Sequence, residues 1–178
     1  MTDNSNIKKL LEEAWAKRGE EKYDDARNLV KEAHRLCNEN DYNSLGRIFH
    51  VYMQFESDHD NYSKAKELGQ KSLSYYKKAN NLDSIAHSTR HIADLQYHLE
   101  KYAESERNYR KALDIYRDNP NTHIGNMANA LRGFGLLLEK RKKIEEAIDV
   151  WKETKELYSS INLQEGINEA NKKLKSLL

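Results

Sequence analysis

Residues 143–147 read Lys143-Ile144-Glu145-Glu146-Ala147, and Trp151 and Thr154 follow. A large residue at 144 is followed by a small one three places on, a bulky one seven places on and a small one ten places on. Those offsets return to one side of an α-helix. The pattern stands three more times: Tyr23 leads Ala26, Val30 and Ala33; Tyr62 leads Ala65, Gly69 and Ser72; Tyr102 leads Ser105, Tyr109 and Ala112. The lead positions 23, 62, 102 and 144 are separated by 39, 40 and 42 residues. A helical stripe returning at that interval describes tandem units that bury their faces on one another.

A second series runs between these stripes. Gly46, Ala86, Gly125 and Gly166 recur at spacings of 40, 39 and 41, small residues where neighbouring helices can approach closely. Each follows a segment rich in Asn: Asn38-Glu39-Asn40-Asp41, Asn80-Asn81, Asn119-Pro120-Asn121 and Asn162. Asn and Asp favour caps and turns over helix interiors, so these segments mark the breaks between helical pairs. The resulting map predicts helices over about 5–18 and 22–37, 43–57 and 61–79, 83–99 and 102–117, 122–140 and 143–158, and a solitary helix over about 163–177. The hairpin units span about 5–38, 43–79, 83–118 and 122–159 within a single domain covering 1–178. The last helix carries Asn168, Asn171, Lys172, Lys173 and Lys175, a polar character that suits an end cap.

Composition narrows the function classes. The chain has 178 residues, one Pro, seven Gly, 33% charged residues and 38% hydrophobic ones. Its single proline, Pro120, falls in a break and leaves the helix interiors intact. No apolar run approaches a membrane span, and Met1–Asn6 lack the basic and apolar regions of a signal peptide. Thirty Lys plus Arg against 29 Asp plus Glu leave a formal charge of +1, without the positive excess of a duplex DNA binder. The densest basic run, Lys140-Arg141-Lys142-Lys143, reads as a solvated turn, with a nucleic-acid or acidic-partner contact as the rival reading. Cys37 is the only cysteine. It cannot form an internal disulfide or a cysteine zinc site, which points to a reducing compartment, the cytoplasm.

The repeated units resemble the tetratricopeptide repeat family. In the fourth unit Phe134, Gly135, Leu138, Ile144, Ala147 and Trp151 match the family pattern, with Thr154 at the final small position. The third matches through Ile92, Ala93, Tyr102, Tyr109 and Ala112, with Ser105 in place of the usual Ala. The first offers Ala14, Tyr23, Ala26, Val30 and Ala33; the second diverges in its first helix, at Tyr52 and Met53, but keeps Tyr62 and Ala65. A period near 40 exceeds the common 34 and is similar to the longer repeats of kinesin light chains and some bacterial signalling regulators. The resemblance implies an all-α fold, a right-handed α-solenoid of four helical hairpins plus a C-terminal capping helix.

The resemblance also implies a concave face lined by the first helix of each pair. Mapped onto this chain, that face carries Trp15 in the first unit and Arg47, His50 and Gln54 in the second. The third contributes His87, Arg90, Asp94, Tyr97 and His98, and the fourth Asn129, Arg132 and Leu136. Independently of any family, the steps of three and four gather His87, Arg90, Asp94, Tyr97 and His98 on one side of a helix, where so many polar groups need solvent, a neighbouring helix or a ligand. An Arg fork suits a carboxylate, and Tyr and Trp supply rigid contact area. Arg90, Arg132 and His50 are the expected polar contacts, and Tyr97, Trp15 and Leu136 the expected packing contacts; Trp151, Tyr102 and Tyr109 are expected in the core. The chaperone-tail subgroup clamps a terminal carboxylate with Lys and Asn; Leu11, Trp15, His50 and Gln54 stand at the matching positions and depart from that pattern.

Enzymatic readings find little support. His87, His91, Asp94 and His98 could present ligands from one helix, joined by His50 or His123, but they lack the His-Glu-x-x-His arrangement with its base. No Walker, dinucleotide-glycine or nucleophile-elbow motif is present. The expectation is therefore a noncatalytic scaffold or adaptor that holds a peptide or protein segment, with no cofactor, no metal, no nucleic acid and no membrane. The alternative is a self-association module forming a homo-oligomer, and a third reading is a sensor that changes curvature when a peptide or ligand enters.

Overall fold

The computed structural model describes residues 3–178, with side chains from residue 5. Its described residues form helices joined by short turns, without a strand. The helices are α1 (Asp3–Gly19), α2 (Tyr23–Leu36), α3 (Tyr42–Ser57), α4 (Tyr62–Lys78), α5 (Leu82–His98), α6 (Tyr102–Asp118), α7 (Ile124–Lys140), α8 (Ile144–Ser160) and α9 (Gln164–Leu177). The fold is all-α, helical hairpins followed by a final helix, as the repeat pattern predicts. No helix among the described residues is long and apolar enough to cross a membrane. The reading of Met1–Asn6 rests partly on Met1 and Thr2, which lie outside the described residues. The chain packs as two compact units, Met1–Ser88 and Thr89–Leu178, and the division falls within α5.

The stripe read from the sequence is the buried stripe of every second helix. Ala26, Val30 and Ala33 are buried on α2, and Ala65, Gly69 and Ser72 on α4. Ser105, Tyr109 and Ala112 are buried on α6, and Ala147, Trp151 and Thr154 on α8. In the first unit that stripe packs with Ile7, Leu11 and Ala14 of α1 and Ile48, Val51 and Phe55 of α3. Burying each large aliphatic or aromatic side chain contributes about 1.5–3 kcal/mol. Small positions filled by hydroxyl residues keep their polar atom satisfied. Ser72 Oγ donates to the Gly46 carbonyl at 2.8 Å and Ser105 Oγ to that of Ala93 at 2.8 Å, each reaching the facing helix. A Ser can therefore stand at this small position, where the other units have Ala. Trp151 and Tyr109 lie in the core, but Tyr102 is only half-buried.

Close approach explains part of the glycine series. A Cβ at Gly46 would lie 2.7 Å from the Tyr76 ring, and one at Gly166 would lie 2.5 Å from Tyr158. Gly125 is looser: its nearest neighbours are His123 at 3.2 Å and Ile161 at 3.7 Å.

Six turns share one construction. Glu21, Asp60, Asn80, Glu100, Lys142 and Asn162 have φ between 50° and 60°. In each, the next residue's N–H donates to the carbonyl five places back, as from Lys22 to Lys17, Lys101 to Gln96 and Leu163 to Tyr158. The positive-φ residue itself donates three places back, as from Glu100 to Tyr97. This pair of bonds closes a helix C-terminus and satisfies its last carbonyls. Glycine is the usual occupant of that left-handed position, yet no glycine in the chain has positive φ.

Candidate functional site

In the first unit, α1 and α3 bring polar groups together at repeat distance. Arg18, in the last turn of α1, donates from Nε and Nη2 to the two Asp58 oxygens, both at 2.6 Å. Its Nη2 also lies 3.4 Å from Gln54 Oε1. The same guanidinium sits over the Trp15 ring, 4.5 Å from its centroid, and Trp15 is 44% exposed. Trp15 and Gln54 thus belong to one cluster organised by Arg18, a residue absent from the expected set. Arg47 is exposed. His50 is buried, its ring 4.9 Å from that of half-buried His87. That burial corrects the expectation that His50 offers an open polar contact: its imidazole faces helix packing.

In the second unit the cluster spans α5, α7 and α9. Arg90 Nη1 donates to Asp94 Oδ2 at 2.8 Å, and Tyr109 donates its hydroxyl proton to Asp94 Oδ1. Burial first, then the Asp94 charge and hydrogen bond, push the Tyr109 phenol well above its ordinary range, so the proton stays on Tyr109. Arg132 grips Glu169 of α9 with a two-pronged fork, Nε to Oε2 at 2.5 Å and Nη2 to Oε1 at 2.8 Å. That bond to Glu169 holds the Arg132 guanidinium above its usual value. Tyr158 donates to Asn129 Oδ1 at 2.8 Å. Burial raises its phenol, and the charges of Arg132, Glu169 and Arg90 all act on it; these groups therefore form one electrostatic neighbourhood. Tyr97 packs against Tyr102 at 5.9 Å and His98 at 5.6 Å, with His98 exposed, and Leu136 is half-buried on α7.

The donor count on this face is asymmetric. Both oxygens of Asp94 and both of Glu169 already accept hydrogen bonds. Asn129 is exposed and spends its oxygen on Tyr158. Among the described residues, neither its Nδ2 nor Arg132 Nη1 has an acceptor. The face therefore presents N–H groups and suits ligands rich in carbonyl or carboxylate oxygen. Arg90 Nη2 lies 2.8 Å from His91 Nε2, so that imidazole nitrogen is already engaged.

The basic run at 140–143 is partly an internal structure. Arg141 and Lys143 both bond Glu106 of α6, Lys143 Nζ at 2.7 Å, and Arg110 joins them at 2.7 Å. Glu106 is 7% exposed. Burial, the largest influence, opposes its ionisation, but hydrogen bonds from Lys143 and Arg110 and the charges of Lys143 and Arg141 outweigh it and hold the carboxyl at about 2. Two cations of the expected solvated turn are thus anchors between α6 and the α7–α8 turn.

Residues 83–160 match the tetratricopeptide repeat family model. No curated protein sequence matches the chain. Among solved structures, the apo form of RapI superposes with a TM-score of 0.83 at 16% identity, covering 93% of this chain and 60% of RapI. BtubC (BKLC) from P. vanneervenii gives 0.73 at 16% identity, over 93% of this chain and 74% of that one. A Podosopora anserina kinesin-light-chain structure of nearly identical TPR-like repeats gives 0.68 at 11% identity, over 97% and 95%. The fold is that of long tetratricopeptide-type repeats, and the chain spans less than two thirds of RapI.

Proposed function

We infer that the chain is a noncatalytic interaction module and that the α5–α7–α9 face of its second unit holds an extended segment of a partner protein. The observation that carries this reading is the donor excess: Asn129 Nδ2 and Arg132 Nη1 stand unspent beside carboxylates whose oxygens are all engaged. An extended peptide offers main-chain carbonyls and carboxylate side chains to such groups, and Tyr97 and Leu136 supply apolar area beside them. Arg90 serves this face as a positioning residue, since its Nη1 is spent on Asp94. A likeness to repeat scaffolds supports the class of function, and the partner is assigned only by chemistry. The test is selection of displayed random peptides on the full chain, followed by titration of the recovered peptides against an Asn129→Ala/Arg132→Ala variant. Loss of binding of about tenfold or more, with helicity unchanged, is expected. Peptides that all bind the variant as tightly as the parent would defeat the assignment.

A further inference from the structure

The second helices of the two units flank clefts that can be compared position by position. In the second unit, α6 and α8 border a cleft of about 240 Å³ floored by Leu131 and Phe134 of α7. Two ion pairs join α6 to α8: Arg110 to Glu146 at 2.6 Å and Arg117 to Glu153 at 2.9 Å. Arg110 also covers the Phe134 ring, 4.9 Å from its centroid. These pairs tie α6 to α8 beside the cleft.

The matching surface of the first unit is built otherwise. Counting from the helix starts, Tyr42 for Ile124 and Tyr62 for Ile144, Phe49 and Tyr52 take the places of Leu131 and Phe134. Lys64 and Lys71 take the places of Glu146 and Glu153, the two glutamates that pair with α6 in the other unit. Those carboxylates are therefore gone. In their stead runs a chain of rings: His34 against Phe49 at 5.4 Å, Phe49 against Tyr75 at 5.5 Å, and Tyr75 against Tyr42 at 6.5 Å. Lys71 lies 5.6 Å from the Phe49 ring, and Lys78 lies 5.4 Å and 5.5 Å from Tyr42 and Tyr75. Phe49, Tyr42 and Tyr75 are half-buried, and His34, Lys71 and Lys78 are exposed. Among the described residues no carboxylate comes within ion-pair distance of Lys71 or Lys78.

The geometry points to a second interaction surface, the α2–α3–α4 aromatic strip, whose occupant is an acidic protein segment carrying aliphatic or aromatic side chains. Ring edges and half-buried rings give apolar contact, and the two lysines supply the charge that acidic side chains complete, as Glu146 and Glu153 do within the other unit. A single-stranded nucleic acid fits less well. Base stacking needs a free ring face, whereas Phe49 and Tyr75 are stacked at 17°, Tyr42 and Tyr75 at 25°, and lysines stand over these rings. This surface is separate from the α5–α7–α9 face and does not rest on it.

The experiment uses the full chain and displayed random peptides, with a Lys71→Glu/Lys78→Glu variant and circular dichroism to verify that helicity is kept. One recovered class is expected to be enriched in Asp and Glu with aliphatic or aromatic residues between them. Its affinity should fall about tenfold or more in the lysine variant and in high salt, and stay unchanged in Asn129→Ala/Arg132→Ala. The proposal is overturned if no recovered peptide depends on Lys71 and Lys78, or if those that do are not acidic. It is also overturned if a single-stranded oligothymidylate binds more tightly than the peptides and loses that binding in the lysine variant. Each variant pair reads one face, so the two readings fail independently.

Discussion

Replacing Glu106 by Gln removes one negative charge from a point where three cations meet, Arg110, Arg141 and Lys143. The carboxyl is held at about 2 against an ordinary 4.5, which corresponds to about 3 kcal/mol of stability at neutral pH as an upper figure. The cations are 45%, 32% and 38% exposed on their side chains, so solvent screening reduces the expected loss to about 2 kcal/mol. The sign follows from the direction of the shift. A carboxyl whose folded value is depressed stabilises the fold above its unfolded value, 4.5, and that contribution is lost as pH falls toward about 2. Denaturant unfolding followed by far-ultraviolet circular dichroism should show Glu106→Gln about 2 kcal/mol less stable than the parent at neutral pH. The difference should shrink steadily below pH 4.5. Equal stability at neutral pH, or a gap that does not change on acidification, would refute the account of Glu106 as an ionised anchor.

Two glycine substitutions should move stability in opposite directions. Nothing lies within 4 Å of a Cβ at exposed Gly19, so Gly19→Ala should stabilise by about 0.5–1 kcal/mol through helix propensity. Gly166→Ala should cost about 1–3 kcal/mol, because Tyr158, tied to Asn129, stands 2.5 Å from the new methyl group. Thermal melts of the pair check both, and a shared sign would defeat the packing argument. Arg18→Ala should cost about 1 kcal/mol and quench or shift Trp15 fluorescence, since one guanidinium holds Asp58 and covers that indole; an unchanged emission spectrum would count against the stack. Burial, with the Asp41 charge added, pushes the Cys37 thiol up to about 11. Its alkylation near neutral pH should therefore run roughly a hundredfold slower than that of a free thiol, and labelling at the free rate would contradict its environment.

Local periodicity made the helical stripes legible. Ala147, Trp151 and Thr154 sit on one face because a helix returns them there, and burial in the structure follows the same offsets. The Asn-rich breaks were legible for the same reason, as caps and turns are local. The left-handed turns at Glu21, Glu100 and Lys142 were not, because Glu and Lys ordinarily signal nothing about φ. The candidate face divides likewise. Arg90 and Asp94 are one helical turn apart and their pairing could be read from spacing. The pairing of Arg132 with Glu169, and of Arg18 with Asp58 at the end of α3, joins residues from different hairpins or helices. Which of several acidic residues a given Arg meets depends on how the hairpins nest, and side-chain periodicity along one helix contains no such information. His50 shows the complementary failure: polarity suggested an open contact, yet helix packing buries its imidazole beside His87.

The six shared turns bear on how such a chain can change over generations. Each closes with bonds from the main-chain N–H groups of the left-handed residue and its successor to carbonyls of the helix it ends, and the left-handed position carries Glu, Asp, Asn or Lys. The hydrogen bonds of the joint thus involve no side chain, and only the positive φ restricts its occupant. Duplication or exchange of a whole hairpin would carry its joints with it ready-made, while point substitutions at these positions stay confined to residues that accept a positive φ. Innovation in a molecule of this construction is therefore expected to proceed by shuffling hairpins while the joints keep to residues without a β-branch that accept a positive φ.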